Sequence, residues 1–301
     1  MGAALLTVFL FACSGIAGER AARYWGGQLA NLLRLLLATV ILATGTLTFF
    51  PGSLRWETFG WLFLSGMVGF GLGDIALFLA YVRIGARLTI LLNLCTAPLW
   101  SSVAEWVWLG TTLTPGQIAA GGIILCGVVM AILSRPPASL EAKGAGWFGI
   151  LCGLGAGMGQ GIGAVISRNA FELAADGGFA INGFSAAAQR VGGGFLTVLA
   201  AVLIFSAMGR LHLRPVRAGT RSRAFAWLFA TALCGPVLGV SCFQWSLILL
   251  PSGLASAVVA MTPIAMIPMA MLIDRERPRA LSVAGAFVAV AGVVWLLQMA
   301  R

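Results

Sequence analysis

The sequence predicts an all-α integral membrane protein of about ten transmembrane helices, arranged as two inverted five-helix repeats. Three observations carry this reading: an apolar composition, apolar runs of membrane-crossing length, and a match between the two halves of the chain. Of 301 residues, 60% are hydrophobic and 9% are charged, against about a quarter charged in an ordinary soluble domain. Such a chain cannot cover itself in water.

A spanning helix needs about 20 apolar residues, because each residue rises about 1.5 Å through hydrocarbon about 30 Å thick and every backbone group must bond internally. On that measure segments fall near 2–20, 28–50, 57–81, 87–109, 114–134, 144–168, 183–208, 224–249, 252–273 and 280–299. The breaks carry turn residues: Pro51-Gly52, Gly85-Ala86-Arg87, Thr114-Pro115-Gly116, Arg135-Pro136-Pro137, Asp176-Gly177-Gly178, Arg214-Pro215, Pro251-Ser252-Gly253 and Arg277-Pro278. These connections are short, so neighbouring spans run antiparallel. The first segment reads as a span rather than a signal peptide. Leu10-Phe11-Ala12-Cys13 partly resembles a lipoprotein cleavage site, but Met1-Gly2-Ala3-Ala4 lacks the basic residues of a signal.

Setting Pro98 against Pro263 brings Gly127 onto Gly292 without a gap, and Gly127-Val128-Val129-Met130 against Gly292-Val293-Val294-Trp295. Upstream, Gly15-Ile16-Ala17-Gly18 matches Gly161-Ile162-Gly163-Ala164, and Arg34 matches Arg190 once the second half is allowed a longer connection. The expected units are residues 1–137 and 138–301, five helices each. Because five is odd, the second unit enters from the opposite side, and the halves are related by inversion.

The net charge of +10 comes from basic residues lying between apolar runs rather than on one polar face, which argues for headgroup anchors and against nucleic acid. All six cysteines lie within apolar stretches without paired spacing, so neither disulfides, a metal site nor a cofactor is expected.

An arginine early in the second helix of each half (Arg34 in Asn31-Leu32-Leu33-Arg34-Leu35, Arg190 in Ala188-Gln189-Arg190-Val191) is joined by a mid-helix proline in each fourth helix (Ala97-Pro98-Leu99, Thr262-Pro263-Ile264). A polar hairpin and a glycine-rich fifth helix follow. In this order the sequence resembles the drug/metabolite transporter superfamily, in its ten-helix group with two EamA-type repeats. The acidic hairpin is kept as Asp274-Arg275-Glu276-Arg277, whereas the first half has Leu109-Gly110-Thr111-Thr112, with Thr111 in the acidic place. The resemblance implies a secondary carrier or exporter of a small metabolite or drug-like solute, often proton-coupled, in a bacterial inner membrane. The expected partners are a small-molecule solute and the lipid bilayer, with the chain a monomer or homodimer.

Let side A be the face from which the chain enters and side B the other. Counting inward along each helix puts Arg34, Asp74 and Asn93 six or seven residues from B, with Glu19 close to B. In the second half Arg190, Gln160 and Gln244 lie five to eight residues from A. Ionisable groups at such depth cost about 2.5–3.5 kcal/mol each on insertion scales unless paired or hydrated, so they face a cavity or one another. Arg34 with Asp74 is the leading intramembrane pair. On a functional reading Arg34 and Arg190 frame a central cavity and attract an anionic or carboxylate group, Asn93, Gln160 and Gln244 add polar lining, and Asp74 or Glu19 takes up a coupling proton. The alternative is that the arginines hold helix-end carbonyls or snorkel to headgroups. Pro98 and Pro263 each free a carbonyl in mid-membrane, which would bend the helix and shape the cavity, or simply kink the packing. Glu105, about four residues from A, reads as interfacial. Trp100, Trp245 and Trp295 read as core packing or cavity lining.

Side B connections carry fourteen Lys or Arg, whereas side A carries three: Arg55, Arg168 and Arg301. The positive-inside rule then puts B in the cytoplasm, while the resemblance implies the reverse. The dense basic stretch from Arg210 to Arg223 favours the charge count. An enzyme is not expected, because the single histidine lies in that basic connection and HExxH, GxSxG and phosphate-cradling loops are absent. A channel would want a polar path through the whole bilayer, whereas polarity here falls into two clusters with apolar turns between. A receptor or non-transporting assembly subunit remains a rival.

Overall fold

A computed structural model of the chain describes residues 2–133, 146–209, 218–273 and 280–299, and these are helical without a strand. The first half comprises α1 (Gly2–Trp25), α2 (Gly27–Phe49), α3 (Trp56–Gly66), α4 (Asp74–Leu109) and α5 (Pro115–Leu133). The second comprises α6 (Gly146–Asp176), α7 (Gly183–Ala207), α8 (Arg221–Ala232), α9 (Val240–Leu249), α10 (Ser252–Val259), α11 (Thr262–Ile273) and α12 (Ala280–Met299). Among the described residues six runs are long and apolar enough to cross a membrane, including Trp56–Leu77 and Arg221–Leu249, and three shorter apolar helices accompany them.

The third and fourth spans follow one another without a non-helical link, although a connection was expected at Gly85-Ala86-Arg87. Residues 74–109 are continuously helical, but their contacts with α6 show that the chain reverses within them. Along α6, Gly149 lies against Ile84, Gly159 against Gly73 and Gly163 against Ser65, which is antiparallel order. Gly153 lies against Leu92, Gly157 against Thr96 and Gly161 against Ala97, which is parallel order. The turn therefore falls between Ile84 and Leu92, and the fourth span is the second limb of α4.

Two features interrupt regular winding. The third and eighth spans each contain a π-helical stretch, Met67–Gly73 joining α3 to α4 and Leu233–Gly239 joining α8 to α9. Pro236 supplies no N–H to an α ladder, and glycines dominate the first stretch; both loosen the winding. The prolines expected to act alike do not. Pro98 sits inside continuous α4, whereas the ninth span is divided by a turn at Ala260–Met261 just before Pro263.

Close helix approach depends on glycine at two crossings. A Cβ on Gly66 would collide with the Arg190 carbonyl, which brings the third and seventh spans into backbone contact, and one on Gly127 would collide with the backbone at Ala289. Outward faces are apolar, and Trp56 and Trp147 stand exposed at span ends, as an aromatic belt requires. Trp100, Trp245 and Trp295 are also substantially exposed, so they belong neither to the core nor to the cavity wall. Their depth in the sequence was compatible with either face of the helix.

Candidate solute cavity

A cavity of about 580 Å³ lies between the halves. It starts at Gly27, the first residue of α2 on side B, and runs into the A half as far as Phe243 and Ser256. Both halves supply its wall, Asn31, Arg34, Asp74 and Asn93 from the first and Gln160, Arg190, Thr231 and Pro263 from the second. Most of the remaining lining is apolar. Ser14 and Thr231 tie α1 to α8 by reciprocal bonds, each hydroxyl donating to the other residue's carbonyl at 3.1 and 3.0 Å.

Arg34 Nη2 meets Asp74 Oδ2 at 3.1 Å, and Arg34 Nε donates to Asn31 Oδ1 at 2.8 Å one helical turn earlier. Asp74 is buried, while the Arg34 side chain keeps 21% exposure. The expected pair is therefore formed, with the arginine as its accessible member. Gln160 joins it, its Nε2 donating to the Gly69 carbonyl at 3.1 Å and reaching Asp74 Oδ1 at 3.5 Å. That corrects its placement with the side A group. The sixth span continues eight residues beyond Arg168 to Asp176, which moves Gln160 to mid-membrane.

The second cluster centres on Ser167, a residue the sequence reading missed. Arg190 Nη1 and Gln244 Nε2 each donate to Ser167 Oγ at 3.2 Å, and Ser167 Oγ lies 2.7 Å from Ser65 Oγ. Ser65 in turn donates to the Gly163 carbonyl at 2.6 Å. One hydroxyl hydrogen and two lone pairs on Ser167 satisfy all three contacts if Ser167 donates to Ser65. Arg190 is 1% exposed, with its guanidinium over the rings of Phe70 at 5.3 Å and Phe243 at 5.9 Å. Gln244 is fully buried behind this layer and, like Pro98, does not line the cavity. Glu19 falls in α1, but its side chain lies outside the described residues, as do the Asp274–Arg277 hairpin and the basic stretch from Arg210 to Arg217.

Toward side A lies a further ionic cluster. Glu105 is 2% exposed rather than interfacial. One of its oxygens meets Arg168 Nε at 2.8 Å, and the other accepts from the backbone N–H of Ser252 at 2.6 Å and from its hydroxyl. Arg168 also donates to the carbonyls of Leu247 and Leu250 at 2.9 and 2.7 Å and pairs with Glu172 at 3.2 Å. Spans four, six, eight and nine are thereby tied at one point. The sequence reading assigned Arg168 to a side A connection; the longer α6 makes it an internal residue.

The family models resolve the identity of this architecture. Matches to the EamA-like transporter family cover residues 1–133 and 147–298, one in each half. The chain belongs to the EamA-like transporter family. It is thus a membrane transporter of the drug/metabolite transporter type, from a family of transporters rather than enzymes. A solved structure described only as a crystal structure of a protein aligns with a TM-score of 0.76 at 14% identity, over 99% of this chain and 96% of the other. At that identity the likeness is one of fold alone. No curated protein matches the chain.

Proposed function

We propose that this EamA-like transporter is a secondary carrier that moves a small solute by alternating access between two inverted five-helix repeats. One observation carries the reading: a cavity walled by both halves ends against a buried layer of side chains instead of crossing the protein. A channel would need a continuous polar path; here the Ser167 layer and the Glu105–Arg168 cluster lie between the cavity and side A. The described conformation is then closed to A, and the opposite state must separate those contacts. In the cavity wall, Asn93 Oδ1 is buried without a hydrogen-bond partner, an acceptor suited to a solute donor.

Orientation follows the charge count. With Arg168 internal, side A retains only Arg55 and Arg301 against fourteen basic residues on B, so B faces the cytoplasm of a bacterial inner membrane and the cavity is approached from inside. Asp74, the one carboxylate in the described cavity wall, is the proton carrier of this scheme.

Flux into proteoliposomes containing the purified protein tests the carrier reading. Saturation, counterflow and a response to an imposed proton gradient are expected for at least one solute. Absence of saturation and counterflow across a broad metabolite panel would overturn it.

A further inference from the structure

We infer that the solute is an organic monoanion with an apolar body, its carboxylate or sulfonate group held in the field of Arg190. The inference rests on the carrier reading and adds the chemical class of its cargo. It follows from the charges in the cavity wall. The charged residues lining the cavity among those described are Arg34, Asp74 and Arg190. Asp74 is engaged by Arg34 at 3.1 Å, with its other oxygen facing Gln160. That leaves Arg190 without a carboxylate within ion-pairing distance among the described residues, and the described part of the wall with one surplus positive charge.

Its direct contacts do not neutralise that charge, and Asp74 acts on it only from beyond ion-pairing distance while already paired with Arg34. The described contacts of Arg190 are the Ser167 hydroxyl, the Gly163 carbonyl and the ring faces of Phe70 and Phe243, all formally uncharged. Its Nε is buried with no hydrogen-bond partner, although a guanidinium carries five N–H donors. A buried, unmatched cation in an apolar setting is costly unless a counter-charge arrives. An anion entering from side B passes the neutral Arg34–Asp74 pair and meets the unmatched guanidinium at the far end. The rest of the wall specifies the body of the solute, for Phe11, Phe70, Leu77, Ile90, Val240 and Met266 offer apolar contact. The volume of about 580 Å³ is within the usual range for a drug-sized ligand.

The test uses three probes of similar size and different charge: benzenesulfonate, benzenesulfonamide and benzylammonium. Binding to the purified full-length protein is followed by thermal shift, and a ligand of the folded state raises the midpoint. The expected order is anion above amide above cation, with the sulfonate bound about tenfold more tightly than the amide, as one matched charge can supply. Arg190→Gln should erase the anion-to-amide ratio, and Arg190→Lys should keep most of it. A purely structural arginine would lower the midpoint of both variants and leave the ratio unchanged. If Arg190→Gln does not fold, the wild-type order and the Arg190→Lys ratio still decide. Equal shifts from all three probes, no shift from any, or preference for the cation would overturn the inference. Saturable flux of a cation would refute the anion while sparing the carrier, whereas anion-selective binding with no saturable flux of any solute would do the opposite.

Discussion

Glu105 and Arg168 meet at 2.8 Å inside the protein, joining the fourth and sixth spans toward side A. Each partner also takes up helix-end groups. Glu105 accepts from the N–H of Ser252 at the start of α10, and Arg168 donates to the carbonyls of Leu247 and Leu250 where α9 ends. The pair thus completes two helix ends as well as an ionic contact.

Removing one partner should be expensive, because it leaves a buried charge behind; breaking such pairs typically costs about 3–5 kcal/mol. Glu105→Gln is expected to lower the thermal midpoint in detergent. With the native cysteines replaced by alanine, it should also raise labelling of Ser256→Cys by a membrane-impermeant thiol reagent applied from side A. A lowered midpoint with unchanged side A labelling would make the pair a structural tie that does not control access.

Arg34→Ala and Arg190→Ala are both expected to reduce flux while leaving membrane insertion intact. Their stabilities should differ. Arg190 is 1% exposed within the Ser167 layer, whereas Arg34 is partly open to the cavity, so the Arg190 variant should have the lower thermal midpoint. Loss of folded protein in proportion to loss of flux would assign both arginines to structure alone.

Asp74→Asn removes the only described carboxylate of the cavity wall while keeping its shape. The pH dependence of flux should flatten. The described charged and polar groups that face Asp74 include Arg34, Gln160 and Arg190. A pH profile identical to wild type would remove Asp74 from coupling.

Gly66→Leu should separate the third and seventh spans, since even a Cβ there meets the Arg190 carbonyl. A loss of about 1–3 kcal/mol or more is expected from overpacking. The same substitution at Gly121, where a Cβ would meet nothing within 4 Å, should leave the midpoint nearly unchanged.

Much of this was legible in the sequence because apolar length, turn residues and repeated arginines report directly on spans. The Arg34–Asp74 pair could be foreseen by counting residues inward from side B. Depth alone, however, does not say which way a side chain points. Glu105 lies near a predicted end and still turns inward, while Trp100 and Trp245 lie deeper and turn out. Gln160 and Arg168 were displaced by a single error, the early end assigned to the sixth span, because Arg168 read as its boundary when it pairs with Glu172 within one helix. Ser65 and Ser167 gave little signal, since hydroxyls are common in membrane helices. Pro236 went unread, although a residue without an N–H marks the irregular eighth span.

The π-helical stretch from Met67 to Gly73 gives the third span a turn wound with a residue to spare. Were that slack taken up into ordinary α winding, everything beyond it would rotate by about 100° and shift by about 1.5 Å relative to the part before it. Asp74 is the first residue beyond it. A few exchanged backbone hydrogen bonds could then swing its carboxylate away from Arg34 while α3 stays packed in place, a twist of the helix about its own axis in place of a tilt of the whole bundle.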